Sequence, residues 1–95
     1  MIKIETFANV WDALEDDPTE RASLTLRSQL MIALERAIRG WKLTQKDAAA
    51  RLGITQPRLN DLLKGRISKF SMDALVDIAT RADLNVSVKV KKKAA

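Results

Sequence analysis

The sequence predicts an all-α domain, a compact bundle of four to five helices with one short strand at its end. Three observations carry that expectation. Its 95 residues and 46% hydrophobic share suit a single small domain able to bury a modest core. Apolar residues recur at helical spacing through residues 26–38 and 75–82. Between them, TQKDAAARLGITQPRLNDLL (Thr44 to Leu63) sets Gln45, Ala49, Gly53, Leu59 and Leu62 where two short helices crossing at a tight turn need them. Alanine permits close approach of the two backbones. Glycine takes the left-handed turn without steric cost. The leucines face inward on the second helix. This is the spacing of a helix-turn-helix, whose second helix enters the DNA major groove.

Residues 1–19 read as an acidic arm. Ile2 and Ile4 alternate with Lys3 and Glu5, a short strand pattern. Phe7, Val10, Trp11 and Leu14 then form one apolar stripe at helical spacing, and EDDPTE breaks it at Pro18. The stripe either folds back on the core or orders on a partner.

The domain proper is expected over residues 20–95. A long helix from Pro18 or Thr19 to Arg39 should bury Leu26, Leu30, Ala33, Leu34, Ala37 and Ile38. Gly40 is the expected left-handed cap, with Trp41 covering the helix end. The next helix opens at Thr44, with Asp47 completing a capping-box-like pattern and Leu43 and Ala48 a hydrophobic staple, and it ends at Gly53. The following helix is capped by Thr55 or Gln56. Proline at 57 favours Gln56 as the cap, the distance from Gly53 favours Thr55, and both stay open. Gly65 ends it. Ser71 caps a last helix in which Phe70 staples onto Leu75, while Leu75, Ile78, Ala79 and Ala82 face inward. Asp73 and Arg81 suit the two ends of its dipole.

From Leu84 the period changes to two. Val86, Val88 and Val90 alternate with Ser87, Lys89 and Lys91, so residues 84–91 read as a strand. A lone strand needs a ladder partner. The favoured one is the same strand of a second copy across a two-fold axis, giving a homodimer; the alternative is MIKIETF of the same chain. KVKKKAA reads as a solvated tail.

Composition excludes several chemistries. Cysteine and histidine are both absent, which removes disulfides, the usual zinc ligand sets and the common nucleophile–base pairs. Three glycines form no phosphate loop. Neither enzyme activity nor a cofactor or metal is expected. No run of about eighteen apolar residues suggests a membrane span, and MIKIETFANVW lacks the apolar core of a signal peptide, so a cytoplasmic protein is the default. Residues 1–20 carry one base against six acids, a net of −5. Residues 21–95 carry sixteen bases against six acids, a net of +10. A basic body points to nucleic acid, and an acidic arm to a basic partner.

On a helical wheel of the second motif helix, Leu59, Leu62 and Leu63 turn inward and Pro57, Asn60, Asp61 and Lys64 lie opposite, flanked by Gln56 and Arg58. Glutamine and asparagine match adenine in two-point contact, and arginine matches guanine. Gln56, Arg58 and Asn60 are therefore the expected base contacts. Thr44, Gln45, Thr55, Lys64, Arg66 and Lys69 are the expected contacts to the DNA backbone, which position without specifying. Asp61 has the wrong charge for phosphate; it pairs with Arg58 or Lys64, or accepts from a cytosine amino group.

The stretches LTQKDAAARLGITQPRLNDLLKG and KFSMDALVDIA resemble the Xre/Cro/lambda-repressor-like helix-turn-helix superfamily, most closely its small HigA-like type II antitoxins. The similarity covers about residues 20–90. It implies a lambda-repressor-like bundle that binds a palindromic operator in double-stranded DNA as a homodimer and represses its operon. It also implies neutralisation of a RelE-like toxin, for which Phe7, Val10, Trp11 and Leu14 are the candidate contacts. LNVSVKV matches the family's dimer-forming tail. A free-standing phage-type regulator without a toxin, and a protein-only adaptor that has lost DNA binding, are the competing readings.

Overall fold

The computed structural model describes residues 17–93. The arm residues Phe7, Val10, Trp11 and Leu14, and the Ile2–Ile4 pattern, lie outside the described residues. Four α-helices and one 3-10 turn follow in chain order: α1 (Pro18–Gly40), α2 (Gln45–Leu52), α3 (Gln56–Leu63), the 3-10 turn (Ile67–Lys69) and α4 (Met72–Arg81). Of the predicted four to five helices, four are present among the described residues, and all four lie close to the expected bounds.

Each helix starts on a side-chain cap that satisfies an otherwise orphaned amide. Asp17 accepts from the Thr19 amide at 2.9 Å, Thr44 from Asp47 at 3.1 Å, Thr55 from Arg58 at 3.2 Å and Ser71 from Ala74 at 3.1 Å. Thr55, not Gln56, is thus the cap of α3. Pro57 then falls at the second helical position, where its missing N–H is one of the four that have no intrahelical partner anyway.

Three helices end alike. Gly53, Gly65 and Asp83 adopt left-handed backbone, with φ of 67°, 71° and 60°. Around each, the next residue's amide reaches back five positions: Ile54 to the Ala49 carbonyl, Arg66 to Asp61 and Leu84 to Ala79, at 3.0, 3.0 and 2.9 Å. This is the Schellman arrangement, in which the side chains of those two residues meet. Gly53 has a second reason to be glycine. A Cβ there would sit 2.6 Å from Nη1 of Arg81, which donates to the Leu52 carbonyl at 3.3 Å. Gly40 departs from expectation: it is the last residue of α1, and Lys42, at φ 56°, takes the left-handed position instead.

The core is a single cluster with Leu34, Leu52, Leu59, Leu62, Phe70 and Leu75 at its centre, all essentially inaccessible. Burying one such side chain stabilises the fold by about 1.5–3 kcal/mol. α1 lies across α3, α4 and the 3-10 turn, while α2 packs on α3 and α4. Ala48 and Ala49 are buried where α2 meets its neighbours, as the close crossing requires.

The α1 stripe is rotated from the expected one. Ser28, Met31, Leu34 and Ile38 are buried, whereas Ala33 is exposed and Leu26 is 55% exposed. α1 carries apolar residues on more than one face, and the helices it meets select the 28–31–34–38 face. Residues 84–93 form no strand among the described residues of the single chain, and Val88 and Val90 are 83% and 88% exposed. A strand exists only through its ladder, and the described residues of one chain supply no second rail for this segment.

Candidate nucleic-acid interface

α3 presents its outer side to solvent because its inner side is committed. Leu59 and Leu62 are fully buried and Leu63 is partly so. Opposite them, Gln56, Pro57 and Lys64 are exposed and Asn60 is half-buried. The helix is therefore held by apolar contacts on one side and offers amide-bearing side chains on the other. Thr44, Gln45, Thr55, Lys64, Arg66 and Lys69 are all exposed as well. The hydroxyls of Thr44 and Thr55 already serve as helix caps.

Arg58 is engaged differently from Gln56 and Asn60. Its Nη1 donates to the Lys69 carbonyl at 2.8 Å, and its guanidinium stacks 4.1 Å from the centre of the Phe70 ring. From α1, Arg27 donates through Nη1 to the Phe70 carbonyl at 3.1 Å and pairs through Nη2 with Glu20, also at 3.1 Å. Two arginines from two helices thus hold consecutive carbonyls of the segment that follows α3. The positions of Lys69 and its neighbours are fixed by this double anchor.

Asp61 pairs with neither Arg58 nor Lys64, two of the alternatives open for it. Its carboxylate meets Arg66 Nη1 at 2.7 Å and Lys69 Nζ at 3.6 Å. The Schellman turn at Gly65 explains the choice, because it folds residue 66 back over residue 61. The Arg66 hydrogen bond, helped by the Lys69 charge, lowers the Asp61 carboxyl below its ordinary range against an opposing effect of burial. Lys64, in contrast, has no ion pair among the described residues. Asp61, Arg66, Lys69 and Arg58 are brought together by the chain reversal. The predicted dimer residues Val86, Val88 and Val90 are exposed in a segment apart from the helices.

Sequence reasoning passed over three contacts, that of Arg81 among them although the residue itself was placed at the end of the last helix. Arg27 and Arg81 are tethers between distant segments, and Arg51 stacks 3.8 Å above the Trp41 ring, closing α1 onto α2. Only the Asp61–Arg66 pair had a local signal, namely opposite charges five apart around a helix-ending glycine. Among the described residues no group of acidic side chains is arranged to hold a metal, and no helix is long and apolar enough to cross a membrane.

Two short capped helices about a left-handed glycine, the second with a buried leucine face and an exposed polar one, define a DNA-binding helix-turn-helix protein. The chain belongs to a family of helix-turn-helix domains, whose model matches residues 13–91. No curated protein matches it.

Proposed function

We propose that this protein is a sequence-specific transcriptional repressor that binds a palindromic operator as a homodimer, and that it is the antitoxin of a type II toxin–antitoxin operon directed at a RelE-like toxin. The observation that carries the DNA reading is the exposed polar side of α3, with Gln56 and Asn60 on it and the cations Lys64, Arg66 and Lys69 beside it. Gln56 and Asn60 read base edges. Arg58 either reads a base by giving up its hold on Lys69 and Phe70, or serves from behind as an anchor. Thr44, Gln45, Thr55, Lys64, Arg66 and Lys69 contact the backbone.

The dimer reading is supported by the exposed alternation of Val86, Val88 and Val90, which antiparallel pairing with a second copy would cover. The antitoxin reading is supported by the charge asymmetry. Residues 1–20 carry a net −5, and their apolar Phe7, Val10, Trp11 and Leu14 suit a basic protein partner.

The test selects binding sites from a random duplex pool with the full chain, then co-expresses the chain with the product of the adjoining gene. A palindromic consensus bound by a dimer supports the repressor. Co-purification of a small basic protein, lost when residues 1–19 are removed while DNA binding persists, supports the antitoxin. A consensus without any such partner leaves a free-standing regulator, and no DNA binding at all leaves an adaptor.

A further inference from the structure

The loop after α3 gathers cations for phosphate, yet a carboxylate from α3 lies among them. Asp61 is in the last turn of the helix, its backbone carbonyl fixed by the Arg66 amide at 3.0 Å. Its side chain is only 16% exposed, with Arg66 at 2.7 Å and Lys69 at 3.6 Å. Arg58, one turn earlier, is turned to the Lys69 carbonyl and the Phe70 ring, and Lys64 makes no ion pair with it.

We propose that Asp61 limits the affinity of the DNA interface, acting as an internal competitor that occupies Arg66 and Lys69 and so suppresses sequence-independent binding. The inference rests on the DNA-binding reading above. A phosphate that approaches either cation must displace a carboxylate oxygen already in hydrogen-bonding or ion-pairing range. One negative charge offsets one of the two positive charges, so the pair neutralises about one phosphate fewer than two free cations would. Sequence-independent affinity comes almost wholly from phosphate neutralisation, and each phosphate neutralised steepens the salt dependence by about 0.9 in the slope of log K against log salt. Withholding one such contact weakens binding to every sequence alike. The side chains that read bases then supply a larger part of the total binding energy, while the ratio between sequences is unchanged. The carboxylate cannot drift from this role, because the left-handed Gly65 turn brings Arg66 back over it.

The experiment measures binding of the full chain to a labelled duplex of random sequence, by fluorescence anisotropy between about 50 and 200 mM salt. Asp61→Asn is expected to tighten this binding several-fold and to steepen the slope by about 0.9. Unchanged or weaker binding at an unchanged slope overturns the proposal. A second comparison leaves Asp61 in place. Lys64→Gln should flatten the slope by about 0.9, and Lys69→Gln by clearly less, since the charge of Lys69 is already partly committed. Equal losses overturn the proposal. If the unaltered chain binds no duplex in a salt-dependent way, the DNA-binding reading itself fails; if it binds and the variants behave otherwise than stated, only the role of Asp61 fails.

Discussion

The guanidinium of Arg58 stacks 4.1 Å from the centre of the Phe70 ring while its Nη1 donates to the Lys69 carbonyl at 2.8 Å. A side chain whose position on the helix suggests a reader of guanine is therefore also a strut between α3 and the segment before α4. Replacing Arg58 with alanine should lower unfolding free energy in urea by about 1–2 kcal/mol, from a charged hydrogen bond to backbone and a partly buried cation–π contact. Lysine should restore little of it, lacking the planar fork. A variant of full stability with altered sequence preference would assign Arg58 to base reading alone.

Gln56→Ala and Asn60→Ala should each relax preference at one operator position, costing about 1–3 kcal/mol of discrimination where the contact is bidentate. Neither side chain is in the core, so thermal midpoints should hardly move. Equal weakening on all sequences would show that these residues do not read bases.

Gly53→Ala should destabilise the domain by about 1–2 kcal/mol, the cost of left-handed backbone for a residue with a Cβ. The added Cβ also meets Arg81 Nη1, the flexible end of a side chain. Adding Arg81→Ala should therefore relieve the crowding but not the backbone cost. Full recovery in the double variant would show that the turn tolerates a Cβ.

Loss of the Thr55 cap should cost about 1 kcal/mol in Thr55→Ala and be mostly restored in Thr55→Ser, because the hydroxyl accepts from the Arg58 amide. The same change frays the start of α3. Amide hydrogen exchange should rise there first, ahead of α1.

Acid should probe the Asp61 ion pairs. The folded carboxyl is lowered below its ordinary value, so its contribution is present above the unfolded pKa and is lost as pH falls through the folded one. Urea midpoints of the unaltered chain should decline relative to Asp61→Asn as pH drops from about 5 towards 2. Parallel curves would mean that the ion pairs add nothing to stability.

Much of this fold could be read from the chain because much of it is local. Thr44, Ser71 and Gly53 mark helix ends by hydrogen bonds that span a few residues, and each stands where expected. Leu59 and Leu62 fix the inner side of α3, and hence its outer one, by spacing alone. What escaped depends on partners. Leu26 and Ala33 have the right period to be buried, but which side of α1 turns inward is decided by α3 and α4, and they take Ser28 and Met31. Val86, Val88 and Val90 have the alternation of a strand without a second rail among the described residues. The ion pairs of Asp61 arise because the chain doubles back at Gly65, and the tethers from Arg27 and Arg81 cross 43 and 29 residues of sequence.

Arg27 joins Glu20, in the opening turn of α1, to the backbone of Phe70 through one guanidinium. The opening turn of the long helix and the main chain just before α4 are thus yoked by a single rigid plane of atoms. A tug at that opening turn reaches the later segment as leverage on a main-chain oxygen, a mechanical link between stretches 43 residues apart.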